Sequence, residues 1–251
     1  MSYFRGDFKS QTLRMRTHMA VILPEEGAPR GTLILLHGLK GGSDDWVRYT
    51  AIERYVQPYG LAVFMPEVQR SWYMDMERGL PYFTYITEEL PAFLARTFRV
   101  PVDGEHLYIG GLSMGGYGAM KCALTRPERY AGCISLSARF YLENKRALIR
   151  DKAQDWSEWQ ALVGQDVCIG PENDLEHLAQ QAAACPRKMP MYMACGTEDP
   201  AHDETTRLHA VLVRCGFPAV CEDWPGIHSW DFWDEGIRRG LKSAVGRAES
   251  R

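Results

Sequence analysis

Short apolar runs alternate along the chain with stretches of helical pattern. Residues 13–23 begin with strict apolar–polar alternation, which predicts a half-buried strand at a sheet edge. Continuous apolar runs predict strands buried on both faces, at 31–38, 60–66, 106–112, 130–137 and 189–196, with a short sixth at 217–223. Helices are predicted between and after them, at about 45–55 (capped by Ser43 or Asp44), 83–98, 115–124, 203–215 and 229–247. This alternation predicts an α/β fold with a mostly parallel central sheet flanked by helices.

One segment departs from the alternation. Residues 138–188 are polar and poor in strand patterns, although they lie between two predicted buried strands. We expect a helical insertion over one end of the sheet, and insertions of this size often act as lids. The chain has no internal repeat or linker-like stretch, so we expect residues 1–251 to form a single domain.

Composition narrows the function classes. The chain is 45% hydrophobic and 24% charged, with a net charge of −3 and no basic stripe, so neither nucleic acid nor a membrane surface is an expected partner. No apolar run is long enough to span a membrane, and the first residues lack the apolar core of a signal peptide. Seven cysteines without CxxC spacing favour a reducing compartment, so we expect the cytoplasm. No metal-ligand pattern occurs, and no metal or cofactor is expected; a homo-oligomer is left open.

The stretch "YIGGLSMGGYGAM", residues 108–120, contains a candidate nucleophile. Within it, Gly111-Leu112-Ser113-Met114-Gly115 matches G-x-S-x-G, in which a serine sits on a sharp strand-to-helix turn. The predicted buried strand before it and the small-residue helix after it strengthen the match. The competing interpretation is a glycine-rich turn whose serine only caps the helix.

A nucleophilic serine also needs donors for the developing oxyanion. The strand end "LLHGLKGGSDDW" offers a flexible glycine loop, and we expect the backbone N–H groups of Leu39 and Met114 to be the donors. His37 is expected to shape this loop and not to act as the base.

The base and its orienting acid are expected further along the chain. His228 follows the last predicted strand, where this chain order places the general base, and His202 is the second candidate. For the acid, Asp199 is placed best, just after the fifth buried strand. Glu198 and Asp203 are the other candidates, and helix capping is the competing role for Asp199 and Asp203.

Several motifs together resemble one family. They are "ILLHGLKGGSDDW", "SWYMDMERGLPYFTYITEELPAFL", "YIGGLSMGGYGAMKCALTRPERY", "CGTEDP" and "GIHSWDFWDEGI". In these the chain is similar to the esterase D group of α/β-hydrolases: tributyrin esterases, S-formylglutathione hydrolases and related feruloyl and acetyl-xylan esterases. The resemblance covers nearly the whole chain and implies the α/β-hydrolase fold with a helical lid. It implies Ser113 as nucleophile, Asp199 as orienter and His228 as base.

The substrate is defined less sharply. The aromatic loop, residues 72–82, is expected to border the pocket with Trp72 and Tyr73. The resemblance to feruloyl esterases adds Trp156 and Trp159 of the insertion, although large aromatic residues are also buried for area alone. We expect a serine esterase for short-chain or small aromatic acyl esters. The alternatives are S-formylglutathione hydrolysis, acyl transfer by the same triad, and a non-catalytic binding module.

Overall fold

The computed structural model describes residues 1–143 and 152–246, and eight strands in these residues form one sheet. In sheet order β1-β2-β4-β3-β5-β6-β7-β8, β1 and β2 are antiparallel to their neighbours, and the strands from β4 through β8 run parallel. The predicted mostly parallel sheet is therefore confirmed. The strands are β1 Ser2–Ser10, β2 Met15–Leu23, β3 Gly31–Leu36, β4 Leu61–Pro66, β5 Leu107–Leu112, β6 Gly132–Leu136, β7 Met191–Gly196 and β8 Ala219–Trp224.

Helices cover both faces of the sheet. Their bounds are α1 Asp45–Tyr49, α2 Ile52–Val56, α3 Tyr82–Thr84, α4 Leu90–Phe98, α5 Met114–Thr125, α6 Ala153–Val163, α7 Leu175–Ala182, α8 His202–Arg214 and α9 Trp230–Gly240. A π-helical turn, Tyr85–Glu89, joins α3 to α4, and another, Leu241–Val245, extends α9.

The apolar strands alternate between two cores. In β3, Leu33 and Leu35 pack with α2 and α9 on one face, whereas Ile34 and Leu36 pack with α4 and α5 on the other. Every residue of β3 is buried, which explains why the sequence shows a continuous apolar run there instead of alternation.

The expected edge position of the strand at 13–23 is wrong. This strand, β2, lies between β1 and β4, and β1 forms the edge of the described sheet. Most side chains of β1 are exposed, and charged residues are spread along it, so its apolar pattern is too weak to predict a strand.

The single helix expected over 45–55 is two helices. Thr50 has extended backbone angles, φ −135° and ψ 168°, which end α1. The Thr50 hydroxyl donates to the carbonyl of Trp46, and the N–H of Ala51 donates to Asp234 of α9, 2.8 Å away. The chain is thereby turned before α2 begins. The expected cap by Ser43 or Asp44 is also not made, because the N-cap residue, Asp44, forms no side-chain capping bond.

The described part of the insertion, residues 138–143 and 152–188, contains α6 and α7 and is bound to the aromatic loop, to α5 and to α8, where Glu204 accepts from the N–H groups of Phe140 and Tyr141. The N–H groups of Glu77 and Arg78 in the aromatic loop donate to carbonyls of α6 at 3.1 and 2.9 Å. On the other side, the hydroxyl of Tyr117 in α5 donates to the carbonyl of Asn173 at 2.9 Å. Residues 144–151 of the predicted insertion lie outside the described residues, and a lid role for the segment stays a prediction.

Candidate active site

Ser113 lies on the turn between β5 and α5, at the carboxyl end of the parallel strands. Its φ of 52° and ψ of −119° place a non-glycine residue in a backbone region that side chains rarely adopt. The turn is anchored because the N–H of Ser113 donates to the carbonyl of Leu136 in the neighbouring strand, 2.8 Å away. The strained turn holds the side chain of Ser113 at the end of the sheet.

Glycines flank Ser113 because the backbone segments approach each other too closely for side chains. A Cβ on Gly111 would lie 2.5 Å from the backbone of Gly115, and one on Gly115 would lie 2.4 Å from the carbonyl oxygen of Leu36. Cβ atoms do not occur at such distances, so α5 can begin this close to β3 and β5 only with glycine at both positions.

His228 lies on the loop between β8 and α9, where the sequence predicts the base. Its Nε2 atom is 3.0 Å from the Ser113 hydroxyl oxygen, and its ring packs edge-on against Trp233 with the centroids 4.9 Å apart. The second candidate, His202, is the first residue of α8, and its Nε2 lies 2.9 Å from the carboxylate of Asp223.

Asp199 completes a line of hydrogen bonds. Its Oδ2 atom lies 2.7 Å from Nδ1 of His228, and Oδ1 accepts from the N–H of Ala201 at 2.9 Å. Burial raises the pKa of Asp199, but the hydrogen bonds from His228 and Ala201 more than offset this, and the pKa lies below its ordinary value. An ionised Asp199 keeps the His228 proton on Nδ1, which leaves Nε2 free to accept the serine proton. The other two acid candidates, Glu198 and Asp203, are exposed.

The loop after β3 passes beside Ser113. A Cβ on Gly38 would lie 3.6 Å from the Cβ of Ser113, so the next residue, Leu39, is close to the turn. Met114 is the first residue of α5, where a backbone N–H has no acceptor within the helix. These positions suit the two expected oxyanion donors, whose role stays a prediction.

His37 is 1% exposed, and its ring nitrogens contact the backbone and, at Nε2, the carboxylate of Glu67 at 3.3 Å. Nδ1 lies 2.8 Å from the carbonyl oxygen of Gly38, and Nε2 lies 3.1 Å from the backbone nitrogen of Val68. The carbonyl of His37 accepts from the hydroxyl of Tyr73 at 2.9 Å. These contacts join the loop after β3 to the residues that follow β4.

The four predicted pocket aromatics differ in burial. The ring of Trp72 contacts that of Trp159 of α6, with centroids 5.4 Å apart, and both residues are at most 4% exposed. Trp156 is half-buried. Tyr73 is wholly buried and packs against Gly118 of α5. The pocket role of all four residues, Trp72, Tyr73, Trp156 and Trp159, stays a prediction.

Lys121 of α5 was not predicted from the sequence. It is 4% exposed, and its Nζ donates to Asn173 Oδ1 at 2.7 Å and to the carbonyl of Tyr73 at 3.3 Å. The ammonium therefore joins the helix that follows Ser113 to both the aromatic loop and the insertion. A charged residue inside the small-residue helix "GGYGAMKCAL" is the one sequence signal that could have indicated it.

Two other classes of site, metal centres and membrane-spanning helices, are absent from the described residues. No cluster of three or more histidine, cysteine, aspartate or glutamate side chains in these residues could hold a metal ion. Of the helices described, none combines the length and apolar character needed to cross a bilayer.

Comparisons with known proteins identify the family of this chain. Residues 10–243 match the family model named Esterase. An acetyl esterase from Caldicellulosiruptor saccharolyticus is 30% identical, covering 96% of this chain and 97% of that protein. The solved structure of FphF, a fluorophosphonate-binding serine hydrolase of Staphylococcus aureus, superposes with a TM-score of 0.87 at 33% identity and covers 97% of this chain and 98% of that one.

A second solved structure, S-formylglutathione hydrolase (FrmB) from Staphylococcus aureus, has a TM-score of 0.85 at 32% identity and also covers 97% of this chain and 98% of its own. The expected fold and reaction class are thus confirmed. The chain belongs to the esterase family, and it is a serine ester hydrolase with the α/β-hydrolase fold of the esterase D group.

Proposed function

We propose that the chain hydrolyses carboxylic esters of short or small aromatic acyl groups, with Ser113 as nucleophile, His228 as general base and Asp199 as its orienter. The observation that carries the proposal is the unbroken line of contacts, 3.0 Å from Ser113 Oγ to His228 Nε2 and 2.7 Å from His228 Nδ1 to Asp199 Oδ2. A serine hydroxyl becomes an effective nucleophile when a base lies within hydrogen-bond reach and a third group orients that base.

In this mechanism Ser113 Oγ attacks the ester carbonyl carbon while its proton passes to His228 Nε2. The tetrahedral intermediate collapses as His228 donates that proton to the departing alcohol oxygen, which leaves an acyl group on Ser113. Water then attacks the acyl carbon with His228 again taking a proton, and the acid is released when Ser113 regains its hydrogen. Asp199 stays ionised throughout and stabilises the imidazolium.

The oxyanion of each tetrahedral intermediate would accept from the N–H groups of Leu39 and Met114. The position of Met114 at the start of α5 supports this role, because the helix dipole favours negative charge there. Loss of one such donor typically costs about 3–4 kcal/mol of transition-state stabilisation.

The acyl preference is proposed from an acetyl esterase that is similar over nearly its whole length and from the aromatic residues near the insertion. The acetyl esterase of Caldicellulosiruptor saccharolyticus supports small acyl groups. The contact between Trp72 and Trp159 supports a wall of aromatic rings near the site. A thioester substrate is the second candidate, favoured by similarity to the S-formylglutathione hydrolase of Staphylococcus aureus.

The substrate experiment is a kcat/KM panel on p-nitrophenyl esters of increasing chain length, methyl ferulate and S-formylglutathione. The proposal expects the highest kcat/KM among the acetyl, butyryl and feruloyl esters. A preference for S-formylglutathione over these by a hundredfold would favour the second candidate. Product analysis with an added alcohol acceptor separates hydrolysis from acyl transfer, and no turnover of any ester would favour a binding module.

The base assignment has a matched control on the same protein. His228→Ala should lower kcat/KM on p-nitrophenyl acetate by roughly 10³-fold or more, whereas His202→Ala should leave it within a few-fold of wild type. Circular dichroism checks that both variants fold. The assignment to His228 would be wrong if His202→Ala were the inactive variant.

A further inference from the structure

Strand β1 offers a free edge. It has a neighbour, β2, on one side only in the part of the chain described, and it is nine residues long. Two of its aromatic side chains are exposed, Tyr3 at 38% and Phe4 at 54%. Exposed edge strands present unpaired N–H and C=O groups that can pair with another strand.

Gly6 is the central residue of β1, and residues at equal distances on either side of it have matching or opposite character. Arg5 and Asp7 flank this glycine, Phe4 and Phe8 lie one position further out, and Tyr3 and Lys9 follow. We propose that β1 is a dimerisation strand: a second copy of the chain pairs with it antiparallel, with Gly6 opposite the partner's Gly6, and the two sheets become continuous.

This register pairs the opposite charges of the strand with each other and its two phenylalanines with each other. Opposite charges face each other twice, because a two-fold axis repeats each contact. The pairs across the axis are Ser2 with Ser10, Tyr3 with Lys9, Phe4 with Phe8 and Arg5 with Asp7, each formed twice around the central glycine pair.

Neighbouring registers are disfavoured by charge. A two-fold axis perpendicular to the sheet keeps the side chains of each chain on their original faces, so the register can change only in steps of two residues. One step places Arg5 opposite the partner's Arg5, and a step in the other direction places Asp7 opposite the partner's Asp7. Like charges directly opposite each other are destabilising.

The two faces of β1 fit this arrangement. On one face the ring of Phe8 stacks on Phe93 of α4, with centroids 4.1 Å apart, whereas Phe4 stays largely exposed. Pairing in the proposed register would place Phe4 beside the partner's Phe8 and bury it. On the other face, Arg5 lies 3.5 Å from Asp44 and Asp7 lies 2.6 Å from His18 within the chain. The side chains of Arg5 and Asp7 are nevertheless 64% and 44% exposed, so both remain accessible to a partner strand.

The inference is independent of the proposed catalytic residues. Between β1 and β5, which leads to Ser113, lie the strands β2, β4 and β3. Variants of β1 are therefore expected to keep the esterase kcat/KM, which separates failure of this inference from failure of the proposed function.

The first test is the molar mass of the purified full chain, measured by sedimentation equilibrium over a range of concentrations. We expect twice the 28.5 kDa of the chain for the wild type. Arg5→Asp and Asp7→Arg should each weaken the dimer on the order of 10- to 100-fold, because each turns two attractive pairs into two repulsive ones. The double variant Arg5→Asp/Asp7→Arg should dimerise again, and Arg54→Asp, at an exposed arginine of α2, should match the wild type.

The second test reads the register directly. Gly6→Cys would face its own copy across the axis, and a Cβ at this position meets no other atom within 4 Å. Directly opposite residues in antiparallel strands have Cα atoms at about 4.5–5.5 Å, within the range of a disulfide. Oxidation with copper phenanthroline should therefore cross-link Gly6→Cys into covalent dimers. Lys9→Cys, which would face the partner's Tyr3, and the wild type should not be cross-linked.

A wild type that stays monomeric at 100 μM would overturn the inference. If neither single charge reversal changed the dissociation constant of the dimer, the two copies would associate through another surface. Failure of the double variant to regain the dimer, or equal cross-linking of Gly6→Cys and Lys9→Cys, would show that the register is wrong.

Discussion

Replacing Lys121 with methionine tests the buried cation behind the site. Burial lowers the pKa of Lys121 from 10.5 to about 8, against the attraction of Asp75 and Glu172. A shift of this size means that folding disfavours the charged form by about 3 kcal/mol. Below pH 8 the amine is protonated in both the folded and the unfolded protein, so this group adds no pH dependence there. Between pH 8 and 10.5 the folded protein has released the proton that the unfolded chain still binds, so the free energy of unfolding rises with pH.

Lys121→Met removes this rise, because the variant has no proton to release. The difference in free energy of unfolding, wild type minus variant, should therefore grow by about 2 kcal/mol between pH 7 and pH 9.5. Urea unfolding at several pH values measures it, and the subtraction cancels the groups common to both proteins. Burial raises the pKa of the neighbouring Cys122 thiol to about 12, so this thiol stays protonated in both folded proteins, and its ionisation in the unfolded chain is common to both and cancels in the subtraction. Lys242→Met, at an exposed lysine, is the control that should show no such growth. A difference between wild type and Lys121→Met that stays constant across this range would refute the reasoning.

Three further changes probe other parts of the structure. Asp199→Asn should lower kcat/KM roughly 10⁴-fold with an unchanged circular dichroism spectrum, because an amide no longer fixes the His228 tautomer; retention of most activity would contradict the assigned role. Gly118→Ala should lower the free energy of unfolding, measured in urea, by about 1–3 kcal/mol, because its Cβ would lie 2.3 Å from the buried ring of Tyr73. An unchanged unfolding midpoint would show that the ring of Tyr73 can move away without loss of stability. Glu89→Gln should lower the melting temperature at pH 7. Burial raises the pKa of Glu89, but hydrogen bonds from the turn at residues 10–12 lower it by more, so the folded pKa lies below the unfolded one. The stabilisation by the ionised carboxylate is therefore present above the unfolded pKa and is lost as pH falls through the folded pKa. A deficit independent of pH would contradict that linkage.

The sequence predicted five buried strands well because their patterns arise from burial on both faces. The run at 31–38, for example, corresponds to β3, which is wholly buried. The sixth, at 217–223, corresponds to β8, which pairs with β7 on one side only and is just partly buried, so the expectation of burial on both faces is wrong there. The sequence did not predict β1, whose stability depends on pairing with β2 and on the carboxylate of Glu89 that holds the turn between them. Tertiary contacts of this kind leave little trace in a local pattern.

The candidate site was predictable where chain order constrains it. Ser113 could be located by its glycines, and His228 and Asp199 by their places after the last two strands. The supporting contacts were not predictable, because they join residues distant in sequence. Lys121 bonds to Asn173, and Tyr73 bonds to the carbonyl of His37, through side chains that only the folded sheet brings together.

Mass spectrometry of the covalent intermediate tests the central claim most directly. The protein is mixed with p-nitrophenyl acetate, quenched in acid within the first turnover, digested and sequenced by fragmentation. The account predicts one acetyl group on Ser113 in the wild type and no acetylated serine in Ser113→Ala, which should remain folded. Acetylation of a different residue in the wild type, or hydrolysis by Ser113→Ala at the wild-type rate, would contradict it.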